Sequence, residues 1–192
     1  MFSKTIIAAA AASLFLGAST ALPQAGQPLA PDAKFTLTAL RSASEVHDAP
    51  FEAAKSSIFA KLPNQNATCQ GGSADAAIFY LQDGALFLNS PSSTPQQLFA
   101  DRSGMGQGKF GYTTAGSESA PTNSERTGFQ LDESNDLTLN GAGFIACPNS
   151  IDGAWSVWVS AGVEQPAGNT GCVGISARAV QADAPITCTY TS

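Results

Sequence analysis

The clearest alternation of apolar and polar positions in this chain lies in Lys34–Arg41, which reads KFTLTALR. Phe35, Leu37 and Ala39 share one parity, and most of the positions between them are threonine. Successive side chains of a β-strand point to opposite faces of the sheet. The segment is therefore predicted to form a strand with one buried face.

A second pattern predicts a β-hairpin. The apolar runs Ala77–Gln82 and Ala85–Asn89 are separated only by Asp83 and Gly84. An Asp-Gly pair suits a type I′ turn, because both central residues of that turn need a positive φ. We expect the two runs to pair as antiparallel strands.

Short β-like runs with turn residues between them continue along the chain. Together they amount to roughly a dozen strands without a convincing long helix, which predicts a single all-β domain, an antiparallel β-sandwich or barrel. Glu52–Lys61 also contains good helix formers, so a short helix is the alternative there. The further predicted strands are Val46–His47, Phe51–Ala53, Ser57–Leu62, Gln97–Asp101, Lys109–Thr113, Thr127–Leu131, Asp136–Asn140 and Pro185–Tyr190.

The region from Gly141 to Ala177 contains both tryptophans and two of the four cysteines. Three apolar runs separated by turn residues predict three adjacent strands there. In the middle run, AWSVWVS, Trp155 shares a face with two valines and Trp158 shares the other face with two serines. We expect Trp155 in the core, whereas the alternation leaves open whether Trp158 is buried or exposed.

The N-terminus has the features of a secretory signal peptide, which we place at residues 1–21. Lys4 supplies a positive charge, Thr5–Gly17 is apolar or small, and a small-x-small cleavage site ends at Ala21. Residues 22–33 are predicted to be a flexible lead and residues 34–192 the all-β secreted domain. The apolar run is short for a membrane span and no lipid-anchor signal follows, so we expect an extracellular protein without a membrane anchor.

Charge and cysteine content narrow the function further. The chain has 15 acidic and 9 basic residues and therefore a net charge of −6. An acidic protein surface repels phosphate backbones, so we do not expect nucleic acid as a partner. Four cysteines in an oxidising compartment predict two disulfides, with three connectivities open. A single histidine and the absence of a CxxC pair argue against a zinc site.

Two motifs suggest chemistry but lack the required context. The loop Gly104–Lys109 (GMGQGK) is similar to a phosphate-binding loop, but the residues after it predict a strand rather than a helix. His47 is the only candidate base for a catalytic triad, and no nucleophile motif accompanies it. We therefore predict that Gly104–Lys109 is a hairpin loop and that His47 lies at a turn or a strand end.

Acidic residues provide the remaining candidates. A carboxylate pair would suit a glycosidase, although the sequence does not select one. The segment Asp132–Asp136 offers oxygen ligands for calcium but lacks EF-hand spacing, which favours an acidic hairpin loop. We predict no metal, no cofactor and no enzymatic activity. The candidate carboxylates are Glu45, Glu52, Glu118, Glu125, Glu133, Glu164, Asp132 and Asp136.

Surface residues suggest contact with glycans. Trp158 and Tyr112 are candidate contacts, because exposed aromatic rings stack on sugar rings through their apolar faces. Asn66 begins the sequon Asn-Ala-Thr in a polar loop and is the predicted glycosylation site.

Several segments together resemble the PhiA-type fungal cell wall proteins, a family linked to phialide and conidium development and including IgE-binding members. The resemblance implies a secreted, wall-associated protein without catalysis. The partners that the resemblance implies are wall polysaccharide or other wall proteins. The matching segments keep the family's order: Phe35–Ser44, Gln96–Gly104, Gly111–Ala115, Gly143–Pro148, Trp155–Trp158 and Cys172–Ala177.

The resemblance also bears on the disulfides. It implies that Cys147 and Cys172 are paired. The chain departs from the family in having Cys69 alone in its region and Cys188 in the last predicted strand, and we therefore expect a Cys69–Cys188 bond. The expected function is a non-enzymatic wall protein contributing to asexual spore development, with a secreted glycan-binding module or a host-directed effector as the alternative.

Overall fold

Residues 28–116 and 119–192 are described by a computed structural model. The predicted signal peptide and the first part of the predicted lead, residues 22–27, lie outside these ranges. From residue 28 onward the lead contacts the domain, because the Leu29 N–H donates to Asn135 Oδ1 at 3.1 Å and its side chain packs against the core.

The described part is all-β, as predicted. Its only helices are two short 3₁₀ turns, η1 (Ile151–Gly153) and η2 (Pro166–Gly168). The strands are β1 (Phe35–Leu40), β2 (Ala49–Ala54), β3 (Ser57–Ala60), β4 (Thr68–Gln70), β5 (Phe79–Gln82), β6 (Ala85–Leu88), β7 (Gln96–Asp101), β8 (Lys109–Thr114), β9 (Phe129–Leu131), β10 (Asp136–Leu139), β11 (Phe144–Cys147), β12 (Trp155–Val159), β13 (Val173–Gln181) and β14 (Thr187–Thr189).

Strand pairing closes the main sheet on itself, which makes the domain a barrel rather than a sandwich. All the pairings are antiparallel, and a ring runs β1-β5-β6-β7-β8-β12-β11-β13 and back to β1. The β2–β3 hairpin forms a second connection between β1 and β12, with β3 also pairing with β8, while β10 and β9 extend the sheet beside β13. Closure satisfies the backbone groups that an open sheet edge would expose.

The alternation predicted for β1 is present. Phe35, Leu37 and Ala39 are buried, and β1 pairs along its length with β13, whose Ala177 and Ala179 also enter the core. Inward residues from the other strands join them in one cluster. Burial of this apolar surface is the main driving force for the fold.

Two local predictions are confirmed and one is wrong. The hairpin β5–β6 turns at Asp83 and Gly84, both with positive φ. The region 52–61 forms the β2–β3 hairpin, not a helix. Val46–His47 is a turn rather than a strand, and Val46 is fully buried beneath it.

The order of strands in the tryptophan region differs from a simple meander. β11 lies in the centre, with β12 on one side and β13 on the other. The Cys147–Cys172 bond therefore links directly neighbouring segments and does not cross the tryptophan strand. The reason is that β13 pairs with β1 on its other edge, which closes the barrel.

A small second sheet fastens the C-terminus. Strand β14 pairs with β4, and Cys188 lies opposite Cys69 and is bonded to it. The two disulfides thus join the two expected pairs, and no cysteine is free.

Within the two described ranges, no helix has the length and apolar character needed to cross a membrane.

Candidate functional site

An aromatic side chain lies on the outer face of the barrel where β8, β12 and β11 meet. Trp158 pairs with Lys109 on one side and with Ile145 on the other. Directly opposed residues point to the same face of a sheet, so the three side chains form a row. Trp158 is half-buried, and its Nε1 donates to Ser156 Oγ at 3.0 Å, which restrains the indole ring.

Two depressions flank this row. A smaller one, about 250 Å³ in volume, is lined by Trp158, Lys109 and Asn169 among others. A groove of about 630 Å³ lies on the Ile145 side. We call it the glycine groove, because Gly143 and Gly174 contribute to its lining.

Register explains the form of the glycine groove. On β13 the outward positions that line the groove are Gly174 and Ser176, which lie opposite Ile145 of β11 and Leu40 of β1, respectively. The glycine has no side chain to fill the space between the neighbouring strands. A shallow trough therefore follows the outer face of β13.

The loop before β13 forms one wall of the groove and is held at several points. Cys172 is bonded to Cys147, and the Cys172 N–H donates to Gln165 Oε1 at 3.1 Å. On the far side, the Ala167 N–H donates to Gln107 Oε1 at 2.7 Å. These contacts tie the loop both to β11 and to the glycine-rich loop.

The structure corrects one candidate contact and bears out the expectation for a core residue. Tyr112 has no solvent exposure, and its hydroxyl donates to the carbonyl oxygen of Thr191. It faces the barrel interior because its position in β8 has the inward parity, so it does not contact a glycan. Trp155 is buried in the core as expected.

Asn66 is exposed in the loop before β4. Its N–H donates to Asn64 Oδ1 at 2.8 Å, and its φ is +52°. The side chain is therefore accessible at the surface, and glycosylation of this residue stays a prediction.

The glycine-rich loop is a packed turn that leads into β8, as the hairpin interpretation predicts. A Cβ at Gly106 would lie 2.1 Å from Asp101 Cγ, and one at Gly108 would lie 1.9 Å from the carbonyl oxygen of Val159. The loop contains Met105, which is 94% exposed. Close packing of the backbone accounts for these glycines.

His47 has a structural contact. Its Nδ1 accepts the N–H of Arg41 at 3.1 Å, which closes the turn between β1 and β2, and its Nε2 lies 3.5 Å from Asp48 Oδ2. The side chain is thus placed at a surface turn.

Two of the candidate carboxylates form ion pairs. Glu125 accepts two hydrogen bonds from Arg102, each at 2.6 Å, and these bonds lower the pKa of its carboxyl group. Asp136 accepts from Arg178 Nε at 2.5 Å. Both carboxylates are thereby engaged with cations on neighbouring segments.

The loop residue Asp132 and its neighbours form a turn. Asp132 Oδ1 accepts the N–H groups of Ser134 and Asp136, at 2.8 and 2.9 Å. Among residues 28–116 and 119–192, no three His, Cys, Asp or Glu side chains gather closely enough to hold a metal ion. Of the other candidates, Glu45, Glu133 and Glu164 are exposed, and Glu118 lies outside the described residues.

Glu52 has a different environment. It is 3% exposed, and its Oε2 accepts the N–H of Leu62 at 3.2 Å. Burial disfavours the charged form and raises the pKa of Glu52 to about 8, against the opposite effect of the backbone hydrogen bonds. Phe59 lies opposite it on β3.

A stacked aromatic pair on the outer face was not predicted from the sequence. Tyr80 and Phe87 stack with ring centroids 5.2 Å apart, and Lys34 Nζ lies 3.5 Å from the Tyr80 centroid. The signal was present, since a two-residue turn at Asp83-Gly84 sets these residues opposite each other with outward parity. The lysine covers one face of this pair.

The fold and the composition place this chain in the class of disulfide-linked all-β proteins with a polar outer face. A family model described as "PhiA-like secreted protein" matches residues 35–191. This chain belongs to that family.

Relatives extend over most of the chain, and each is named "Cell wall protein phiA". The protein from Aspergillus fumigatus is 57% identical over 157 residues, covering 82% of this chain and 84% of its own. That from Emericella nidulans is 53% identical over 175 residues, with 91% and 95% covered. For Aspergillus niger the identity is 48% over 180 residues, with 94% and 97% covered.

None of the solved structures gives a significant match to this chain. The family and its relatives establish a secreted protein of the cell wall.

Proposed function

We propose that this protein is a non-enzymatic component of the fungal cell wall that serves asexual spore formation at the level of the phialide and conidium. The observation that carries the proposal is the oriented Trp158 on the outer face of a disulfide-linked barrel in a wall protein family. An aromatic ring of this kind is suited to hold the protein in a polysaccharide matrix.

Retention by stacking fits the surroundings of Trp158. The ring has an apolar face that matches the apolar face of a sugar ring, and Ser156 and Asn169 beside it offer hydrogen-bonding groups to sugar hydroxyls. Lys109 adds a cation at the rim of the row. The barrel serves as a rigid carrier for this surface.

The absence of catalysis is part of the proposal and is supported by how the carboxylates are used. Glu125 and Asp136 neutralise arginines, while Asp132 binds the backbone of its own turn. His47 accepts a backbone N–H. These groups have structural partners that account for their presence.

A glycan at Asn66 is the second proposed element of retention. The residue lies in an exposed loop near the Cys69–Cys188 bond, so a glycan there would extend from the rigid part of the domain. It would enlarge the area in contact with wall polymers.

A deletion strain complemented with variants tests the proposal. The wild-type protein is expected in the wall fraction, and it is expected to restore conidium numbers. Trp158→Ala is expected to shift the protein into the medium and to reduce conidiation, while Tyr80→Ala, an outer-face aromatic control, behaves as the wild type. Normal conidiation in the deletion strain would overturn the proposed role in spore formation.

The alternative is a secreted glycan-binding module or host-directed effector, and the same Trp158 supports it. A protein of this kind accumulates in the medium and binds glycans without affecting spores. Release of reducing sugar from wall polysaccharides by the purified protein would instead establish a hydrolase and contradict the non-enzymatic proposal.

A further inference from the structure

Gly174 lies within strand β13, where glycine is unfavourable. A glycine in a strand weakens it and marks either a bulge or a site that another group approaches closely. Its φ lies outside the left-handed region, so the backbone does not demand glycine. A Cβ built at Gly174 meets no described atom within 4 Å.

The other glycine within a strand of the described residues has protein neighbours that explain it. A Cβ at Gly111 in β8 would lie 2.4 Å from the carbonyl oxygen of Ser56 and 3.3 Å from the Phe99 ring. Gly174 has no such neighbour, and Gly143 on the same groove makes only an ordinary contact, 4.0 Å from the Ile175 oxygen. Packing within the described residues therefore leaves Gly174 unexplained.

The residues that line the glycine groove indicate which kind of ligand it would bind. Its side chains are mostly uncharged hydroxyl, amide and aliphatic groups such as Ser160, Gln165 and Ile145, with Arg41 and Glu164 as the ionisable members of opposite sign. The groove is lined mainly by uncharged groups, and its two ionisable residues have opposite signs, although the protein has a net charge of −6. It therefore suits an uncharged ligand that presents both apolar faces and hydroxyl groups.

We propose that the glycine groove binds a neutral β-linked glycan chain, with Gly174 keeping the trough open for the chain and Ile145 leading it to Trp158. The shared chemistry is that of equatorially substituted pyranose units, which occur in both chitin and β-glucan. This inference rests on the proposed wall function and adds to it the location and the ligand class of the binding site.

The groove is pre-organised for such a ligand. The wall that contains Gln165 and Cys172 is fastened to β11 by the Cys147–Cys172 bond, and the hydrogen bond from the Cys172 N–H to Gln165 Oε1 holds the wall together internally. A site fixed before binding loses less conformational freedom when the ligand arrives. The two residues thus position the groove wall.

The decisive variant is Gly174→Leu in the mature, disulfide-bonded protein. The Cβ that it adds meets no described atom within 4 Å and its side chain extends into the trough, so we expect the fold to be retained, and unchanged circular dichroism and thermal midpoint check this. Gly104→Leu is the matched control, since Gly104 also has an unstrained φ and open space but lies in the glycine-rich loop. Titration calorimetry uses soluble hexasaccharides of chitin and of β-glucan.

The expected result is binding of at least one hexasaccharide by the wild type and by Gly104→Leu, with a loss of at least about tenfold for Gly174→Leu, which corresponds to about 1.4 kcal/mol. The oligosaccharide that binds identifies the polymer. Cys147→Ala/Cys172→Ala is expected to bind more weakly because the groove wall is released.

Three outcomes overturn the inference while leaving the wall function to its own test. The first is equal binding by the wild type and Gly174→Leu, which places the glycan elsewhere, for example on Trp158 alone. The second is no hexasaccharide binding by a protein that still fractionates with the wall. The third is a change of oligomeric state in Gly174→Leu without an effect on binding, which assigns the groove to a second copy of the chain. Absence from the wall fraction contradicts the proposed function itself.

Discussion

Gln96 pairs with the backbone of Tyr190 through both ends of its amide. Gln96 Nε2 donates to the Tyr190 carbonyl oxygen at 2.8 Å, and the Tyr190 N–H donates to Gln96 Oε1 at 2.9 Å. Gln96 has no solvent exposure and Tyr190 has 2%. A buried side chain thus takes the place of a neighbouring strand for the C-terminal segment.

Replacement of Gln96 by leucine is expected to destabilise the fold. The change retains the volume but leaves the N–H and the carbonyl oxygen of Tyr190 buried without partners, at a cost of about 2–4 kcal/mol in the free energy of unfolding. Urea denaturation measures this. Gln130→Leu, at an exposed position of β9, is the control and is expected to change stability by less than about 0.5 kcal/mol.

Glu52 is expected to make stability fall as the pH rises. Its folded pKa of about 8 exceeds the ordinary value of 4.5, so between these values the folded protein retains a proton that the unfolded chain releases. The stabilisation is complete below about pH 4.5 and is lost on passing to about pH 8.

The variant Glu52→Gln isolates this effect. Its free energy of unfolding, measured by denaturant titration from pH 5 to pH 8, is expected to rise relative to that of the wild type as the pH increases. Glu133→Gln, at an exposed residue, serves as the control. Parallel pH profiles of Glu52→Gln and the wild type would contradict the assignment.

The two disulfides are expected to differ in their contribution to stability. Cys69 and Cys188 are 119 residues apart, whereas Cys147 and Cys172 are 25 apart. The chain-entropy model assigns about 5 kcal/mol to the longer loop and about 3.5 kcal/mol to the shorter one. Double alanine variants of each pair should therefore rank in that order in thermal unfolding, and the reverse order would show that the native-state contacts of the bonds dominate.

Gly108→Ala is expected to disturb the junction of β8 and β12. The residue has a φ of +95°, and the added Cβ would lie 1.9 Å from the Val159 carbonyl oxygen, which is backbone and does not move easily. We expect a loss of at least about 2 kcal/mol in unfolding free energy. Gly104→Ala, with open space around it, should stay within about 0.5 kcal/mol of the wild type.

Glycosylation of Asn66 is tested by mass. Protein secreted by a fungal host is expected to lose mass on treatment with an endoglycosidase, and Asn66→Gln should remove this loss. Asn64→Gln changes a neighbouring loop residue outside the sequon and should retain the glycan. An unmodified wild type would leave the loop without its proposed contact to the wall.

Alternation and turn chemistry were sufficient to predict most strands and their buried faces. The threonines of β1 favour a strand and the Asp83-Gly84 pair favours a tight turn, and the structure has a strand and a hairpin turn at these positions. Trp158 was identified as a candidate contact by the same parity, while its neighbours Lys109 and Ile145 depend on pairing with distant segments. Tyr112 was a candidate contact only if its ring were exposed, and the sequence did not determine its burial; the ring is buried, and its hydroxyl donates to the Thr191 carbonyl oxygen.

The sequence by itself determined the all-β class, the inward faces of the strands and the pairing of the cysteines, with Cys147–Cys172 implied by the family resemblance and Cys69–Cys188 by the two cysteines that depart from it. Only the tertiary structure decided how the sheet closes and which contacts hold the turn of the β2–β3 hairpin. Lys55 and Ser56 both have positive φ, which their side chains do not favour, and their N–H groups are held by Thr191. Local patterns report burial and turn preference, whereas closure and this turn depend on hydrogen bonds between residues more than a hundred positions apart.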